Sequence, residues 1–554
     1  MTGGHGGGRP GRDGSIVEAI GRGTTGPPAH QTAGPTEEAD LRPWRDHLPR
    51  GTDLTAQQLV SSGTLLRAWS ARWRADPAAR LWKAGDGAAT ETGAGARAGR
   101  SRWWTAGEFD AATRAVAGRL RCAGLVAGDR VIWSVASSVP ALVAHVGALR
   151  AGLVVVPANT AYTERELAHI VADVRPSAAV VERAEQAGWV RRASPGPLVV
   201  VGPEVDLPDG EAGALDRAGP DDPALICYTS GTTGAPKGAL LRHRNLLAAT
   251  ESVRLAWRWG PEDRLIHCLP VFHAHGLCVG VYGTLSAGAS AVLLPGFDPA
   301  TVAGEVLDEK ASLFFGVPTM YHRLLRSGHA GSLGRLRLSV SGSAPLSKDL
   351  HAAASAAIGA PVLERYGMTE TLMNVSNPYD GDRRAGTVGF PLPGVEVAFG
   401  TEDEILVRGP NVFDGYWERP AADAGAFTPS AAGEAPWFRT GDRGRDDDGY
   451  LVITGRSKDL IISGGFNVYP SEVEDVLAAH PAVAEVVVTG TPSDEWGEMV
   501  TAWIVADGAP PTVEDLAEFT SATLAPHKRP RRVRIVDELP RNALGKVMRS
   551  RLEE

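Results

Sequence analysis

From Trp103 onward, short apolar runs alternate with longer stretches of helical spacing, and few folds can accommodate a chain built that way. Thr105 and Glu108 stand at capping-box spacing, which predicts a helix opening there and running through Leu120. The pattern then predicts a strand over 131–135, a helix over 139–148 and a strand over 154–156. The same rhythm returns at 178–181, 224–227, 265–269 and 291–294. Alternation of this kind implies parallel sheets covered by helices, so the class is α/β. After Gly389 the pattern shifts to short strands and turns, at 395–399 and 404–407, which fits a small antiparallel β-barrel. Near residues 455–458 the chain restarts with its own set: strands over 460–462, 483–489, 500–505 and 533–535, and helices over 471–479 and 513–523. A compact α+β unit of about a hundred residues is expected there. The expected organisation is a disordered tail over 1–55, a large domain over 56–457 and a small domain over 458–554.

Bulk properties narrow the function classes. A chain of 554 residues is too long for one core. Residues 1–55 are rich in Gly, Pro, Thr and charge and cannot bury enough surface to offset ordering entropy, although 65–74 again has helical spacing. Another Gly/Ala-rich stretch, 85–99, is expected to be a loop between strands. The formal net charge of −9 argues against a nucleic-acid binder. No apolar run reaches the roughly 18 residues of a membrane helix, and the N-terminus lacks the apolar core of a signal peptide. Cys122, Cys227, Cys268 and Cys278 lack metal spacing and are expected to be small core residues in a reducing compartment. A cytoplasmic location follows as the expectation.

Residues 228–238 read Tyr-Thr-Ser-Gly-Thr-Thr-Gly-Ala-Pro-Lys-Gly, directly after an apolar strand. Unblocked backbone N–H groups, hydroxyl donors and one lysine are what holding a polyphosphate requires. It is not a Walker A loop, since the second glycine counted from Gly231 would fall on Pro236. A flexible linker would need neither Lys237 nor a strand feeding into it.

This loop resembles the signature of the adenylate-forming superfamily. The resemblance extends to Leu-Pro-Val-Phe-His-Ala-His-Gly at 269–276, Ser-Gly-Ser-Ala-Pro-Leu at 341–346 and Glu-Arg-Tyr-Gly-Met-Thr-Glu-Thr at 364–371. It continues through Phe-Arg-Thr-Gly-Asp at 438–442, Gly-Arg-Ser-Lys-Asp-Leu at 455–460 and Leu-Pro-Arg-Asn-Ala-Leu-Gly-Lys at 539–546. The matching region covers about residues 60–554, in the family's order. The resemblance implies a large domain of two helix-covered sheets plus the small barrel, a hinge at Lys458, and a mobile C-terminal lid.

It also implies chemistry in two halves. A carboxylate first attacks the α-phosphate of ATP and expels pyrophosphate, a step that mainly requires positioning and charge neutralisation. Thr229, Ser230, Gly231, Thr232, Thr233, Gly234 and Lys237 would hold the β- and γ-phosphates. Gly342, Ser343 and Ala344, with the run Glu364, Arg365, Tyr366, Gly367, Met368 and Thr369, would form the nucleotide pocket. Tyr366 would face adenine and Thr369 the α-phosphate. Glu370 would hold Mg²⁺, and Asp442 and Arg456 the ribose. Lys546 would reach the carboxylate and α-phosphate from the lid. In the second half a thiol of coenzyme A attacks the acyl-adenylate, with Ser463, Gly464 and Gly465 leaving room for the pantetheine arm. His273 falls where the family places an aromatic gate, with a buried structural histidine as the alternative, and His275 has no assignment.

The stretch Phe-Gly-Val-Pro-Thr-Met-Tyr-His-Arg at 315–323, together with 341–346 and 363–393, is similar to malonyl-CoA synthetases. In that family arginines at the positions of Arg323 and Arg365 hold the distal carboxylate of a diacid, and Ser343 could add a hydroxyl. Guanidinium is suited to this as a two-pronged cation. A structural pairing of Arg365 with Glu364 is the alternative. Val375 and Cys278 depart from the family pattern, so malonate and methylmalonate both remain open. Competing readings are a synthetase for another small acid, an adenylase loading a separate carrier protein, and a non-catalytic ligand sensor. The last would have no need of Lys237, Glu370 and Lys546 together.

Overall fold

The computed structural model describes residues 1, 35, 37–85, 102–229, 236–430, 434–456, 459–463, 466–493, 496–542 and 545–552. The expected loop at 85–99 lies outside them apart from Gly85.

Two sheets dominate the first domain. One is nine-stranded, with Leu363–Tyr366, Leu338–Ser341, Leu313–Gly316, Arg264–His267, Ser290–Leu293 and Arg80–Ala84 side by side and parallel. The second is six-stranded: Val199–Val201, Ala178–Val181, Arg130–Ser134, Val154–Pro157 and Pro223–Thr229 run parallel, and Lys237–Arg242 folds back antiparallel at the edge. The central strands are buried along their whole length, as parallel strands covered on both faces must be. Their helices start where local chemistry permits. Thr105 accepts from the backbone of Glu108 at the head of Ala106–Cys122, the capping box expected from the sequence.

A third sheet is the half-barrel of Glu37–Glu38, Glu396–Phe399, Glu404–Arg408, Phe438–Asp447 and Tyr450–Arg456, antiparallel throughout, where the short strands predicted a small barrel. The C-terminal segment forms its own sheet from Phe466–Val468, Ile461–Ser463, Gly497–Ala506, Val483–Ser493 and Arg532–Ile535, over an apolar core that includes Val473, Leu477, Val488, Ile504 and Leu516.

Two expectations need correction. Residues 37–55 are not a disordered tail. Glu37–Glu38 pairs with Phe399 and Ala398, and the following turn, Trp44–His47, buries His47 against the ring of Phe390 at 4.0 Å. The His47 ring also donates to the Phe390 carbonyl at 3.2 Å, and Arg42 donates to the Tyr450 hydroxyl at 2.9 Å. Average composition hid this, because a few aromatic and cationic contacts suffice to seat a short strap. Cys122 is exposed at the end of its helix, whereas Cys227, Cys268 and Cys278 are buried as expected. Among the described residues no helix is long and apolar enough to cross a membrane.

Deleting residues 1–50 removes the strap, so a truncated chain is expected to unfold at lower temperature in a thermal melt, with about 2–4 kcal/mol lost from the buried ring contacts. An unchanged melt would mean that the strap contributes nothing to stability. Acid lability is a second expectation. Burial pushes His47 and His145 down to about 3, and His243 and His267 down to about 4. In the unfolded chain each imidazole takes a proton near pH 6.5. Stability from these depressed values is therefore complete above pH 6.5 and falls as pH drops, by up to about 1.4 kcal/mol per pH unit for each residue. Denaturant midpoints measured between neutral and mildly acidic pH check this.

Candidate active site

The expected phosphate loop joins the hairpin strands Pro223–Thr229 and Lys237–Arg242, which pair Thr229 with Lys237 across the ladder. The Thr229 hydroxyl lies 3.5 Å from the Lys237 carbonyl. Ser230, Gly231, Thr232, Thr233 and Gly234 lie outside the described residues. Lys237 is exposed, with its ammonium 5.1 Å from the centre of the Tyr416 ring. Backbone bonds from Leu240 to Gly415 and from Trp417 to Gly238 add the segment 415–417 to this hairpin edge. Tyr416 turns its hydroxyl to Glu370 Oε1 at 3.0 Å, so one tyrosine links the loop lysine to the expected metal ligand.

Glu370 is only 6% exposed, and burial raises its pKa although the Tyr416 hydroxyl works the other way. A carboxylate held this way, beside a phosphate loop, fits a divalent cation. Among the described residues no three His, Cys, Asp or Glu groups converge on a metal position. A cation here would take its other ligands from water and phosphate oxygens. Gly367, Met368 and Thr369 form the half-buried turn between the strand Leu363–Tyr366 and Glu370.

The ribose residues are brought together. Asp442 and Arg456 are ladder partners on adjacent strands, with Arg456 Nε 2.9 Å from Asp442 Oδ1. The Tyr366 hydroxyl donates to Asp442 Oδ2 at 2.6 Å, and burial followed by Asp442 raises its pKa well above the usual phenol range. Glu364, two residues before Tyr366 on the same strand, shares its face by strand alternation. It is 5% exposed, accepts from the Leu346 backbone at 3.1 Å and is pushed up to about 8 by burial. One carboxylate oxygen thereby holds the Leu346 end of the bordering loop, and the other, Oε2, has no hydrogen-bond partner.

Arg365 is the unusual group. It is 5% exposed, its Nε and Nη2 have no hydrogen-bond partner, and burial lowers its pKa to about 9. It does not pair with Glu364. Gly342 makes room for it: a Cβ there would stand 2.4 Å from Arg365 Nε. Around it lie His275, whose Nδ1 is 3.1 Å from the Ser343 hydroxyl, and His273. Ser343 sits in left-handed backbone at φ +71°, a strain consistent with a functional position. Burial, then Arg365, keeps His275 neutral, and burial with Arg365 and Lys546 holds His273 down to about 4. His275 opens a π-helical turn, His275–Val281, an irregularity common at functional sites. The Ala344 backbone completes the bordering loop, half-buried.

Arg323 does not join this cluster. On the helix Pro318–Arg326 the buried residues are Pro318, Tyr321 and Leu324, and a position two beyond Tyr321 falls on the opposite face. Its guanidinium instead lies 4.9 Å above the Phe297 ring at the exposed surface. The sequence match placed it correctly in the chain but could not give its helix face.

Lys546 acts electrostatically on His273. Asn542 and Lys546 exchange backbone and side-chain bonds at 2.8 and 3.0 Å, and Arg541 donates to the Gly545 carbonyl at 2.7 Å. Gly545, at φ +74°, approaches Thr319 so closely that a Cβ would stand 2.9 Å from its hydroxyl. Ser463 is buried with its hydroxyl unpartnered. Lys458, Gly464 and Gly465 lie outside the described residues. Residues missed by the sequence reading are Tyr416 and the His275–Ser343 pair. Only three-dimensional adjacency reveals them, although Gly-Tyr-Trp at 415–417 is an aromatic turn that could have drawn notice.

Comparison with known proteins places the chain in a family. Residues 84–417 match the family model described as AMP-binding enzyme, and 472–546 that of the AMP-binding enzyme C-terminal domain. A malonate–CoA ligase of Arabidopsis thaliana is 39% identical over 60% of this chain and 61% of its own length. A feruloyl-CoA synthase of an Amycolatopsis species is 36% identical over 78% of this chain and 90% of its own length. The crystal structure of ATP-bound MatB from Rhodopseudomonas palustris superposes with a TM-score of 0.79 at 39% identity, covering 88% of this chain and 98% of that one. With family models matching 84–417 and 472–546 and these relatives beside them, the chain belongs to the AMP-binding enzyme family, among its acyl-CoA synthetases.

Proposed function

We propose that this chain is an ATP-dependent acid–thiol ligase that activates a small dicarboxylate, malonate or its methyl derivative, to the coenzyme A thioester. The observation that carries the reading is the buried, unpaired Arg365. A sealed guanidinium without a counter-ion is costly, and a substrate carboxylate is the partner that would offset that cost. The malonate–CoA ligase relative supports the same choice.

In this reading one carboxylate of the diacid rests on Arg365, with His275 and Ser343 alongside. The other attacks the α-phosphorus of ATP, and pyrophosphate leaves. Thr229 and Lys237 flank the phosphate loop, Glu370 would hold Mg²⁺, which supplies charge neutralisation on the phosphates, and Asp442 accepts from the ribose hydroxyls. Tyr366 then does double duty, presenting a ring edge to the base while its hydroxyl orients Asp442. Lys546 approaches the reacting carboxylate, a role supported by its electrostatic reach to His273 and by the contact of Gly545 with Thr319. The thiol then attacks the acyl-adenylate carbonyl and AMP leaves. The chain needs no membrane or nucleic-acid partner for this, and a reducing compartment such as the cytoplasm suits its free thiols.

A second reading is favoured by the feruloyl-CoA synthase relative: a monocarboxylate occupying the same pocket. Acid-dependent AMP release with malonate, methylmalonate, acetate and ferulate separates the two. For a dicarboxylate site, Arg365→Ala should cost about 2–5 kcal/mol in kcat/KM for malonate and far less for butyrate. Arg323→Ala should stay near wild type. A uniform loss across all acids would remove Arg365 from the acid pocket. Lys546→Ala should abolish AMP formation from acid and ATP while leaving thioester formation from preformed malonyl-AMP largely intact. Parallel losses in both half-reactions, followed by rapid quench, would count against the assigned division of labour.

A further inference from the structure

The helix Glu164–Val174 lies beside the six-stranded sheet, and the mechanism above gives it no part. Its N-terminus is fixed by a capping box between Thr163 and Glu166, and Leu167, Ile170, Val171 and Val174 bury its apolar side. Residues 169 and 173, four apart, lie on one face. That face meets the phosphate hairpin twice. Asp173 accepts from the Tyr228 hydroxyl at 2.5 Å, on the strand that enters the loop. His169 Nε2 donates to the Pro236 carbonyl at 3.2 Å, at the residue directly before the strand that leaves it. The His169 ring also stands edge-on to the Tyr228 ring at 6.4 Å.

We infer that His169 and Asp173 are positioning residues that brace both stems of the phosphate loop and so set its grip on the β- and γ-phosphates of ATP. The segment 229–237 is rich in glycine and small hydroxyl residues. Two bonds from a single helix, one at each end of that segment, restrain its ends. Asp173 carries the restraint further. Arg419 also pairs with it, and residue 419 follows the segment that places Tyr416 between Lys237 and Glu370. One carboxylate thus ties the loop's entrance to the segment bearing the lysine's ring partner. Burial followed by the Asp173 bond pushes the Tyr228 phenol well up, so this bond keeps its proton on Tyr228 across the working pH range.

The inference rests on residues 229–237 being the triphosphate loop, and AMP provides the control because it lacks the two outer phosphates. Equilibrium binding of ATP with Mg²⁺ and of AMP to the full chain, by calorimetry, is the test. Tyr228→Phe and Asp173→Ala should each weaken ATP about tenfold, as expected for losing a charge-assisted bond, while AMP stays within about twofold. The double substitution should weaken ATP little more than either change alone, because both remove the same bond. Asp173→Asn retains an acceptor for the phenol and should recover most of the loss. This guards against the harsher variant simply failing to fold. His169→Ala should move ATP in the same direction and leave AMP unchanged. Equal weakening of ATP and AMP, or ATP affinity unchanged in Tyr228→Phe, would overturn the brace while leaving the proposed activity standing. A wild-type chain that binds AMP but gains nothing from the outer phosphates would overturn the phosphate-loop reading, and the brace with it.

Discussion

Arg365 carries a charge into the interior that the protein itself does not neutralise, and much of the acid end of the site follows from that fact. Its strand, Leu363–Tyr366, is held between Leu338–Ser341 and Val375–Ser376, and the residue is 5% exposed. Gly342 yields the space that any side chain would fill. The neighbouring imidazoles are kept neutral, in part by Arg365 itself, so the cluster does not accumulate further charge. Even when pushed down to about 9, the guanidinium stays mostly protonated at neutral pH. The result is a buried cation among neutral neighbours, the arrangement on which the proposed anion contact rests.

The nucleotide end is built on the opposite plan, with charges paired before any ligand arrives. Asp442 is flanked by Arg456 and the Tyr366 hydroxyl, and Glu370 accepts from Tyr416. These carboxylates are oriented and partly satisfied, which suits them to accept ribose hydroxyls or share a cation without large movement. The two ends meet where the strand Leu363–Tyr366 passes between them, with Arg365 and Tyr366 facing opposite ways because strand side chains alternate. Next to Lys546, Gly545 is set against Thr319 of the first domain's helix Pro318–Arg326.

Much of this was legible in the chain. The alternation of strands and helices from Trp103, the capping box at Thr105 and the start of the C-terminal unit all appear where local pattern predicted them. These are short-range properties, fixed by periodicity and by residues three or four apart. Motif order also singled out Tyr366 and Asp442, which the fold joins by a hydrogen bond. Misreadings arose where orientation or partner choice mattered. Arg323 and Arg365 share a residue type and a family match, yet one stacks on Phe297 in solvent and the other is sealed. Glu364 matched the nucleotide motif, and the fold gives one of its oxygens to the Leu346 backbone. The strap at 37–48 looked too polar to dock until Phe390 and Tyr450, far along the chain, supplied rings for it.

By itself the sequence determined the α/β class, the motif positions and the chemical inventory, because each depends on residue type and near-neighbour spacing. The tertiary structure decided which inventory members meet. Tyr416 stands between Lys237 and Glu370 because the segment at 415–417 adds to a hairpin edge more than 170 residues earlier, a pairing that backbone hydrogen bonds allow and no local pattern encodes. Asp173 reaches Tyr228 across 55 positions for a similar reason, since parallel sheets bring together strands and helices separated by long crossovers. Whether a polar side chain is sealed, paired or solvated depends on the free-energy balance of its whole environment, and that environment exists only after the chain has folded.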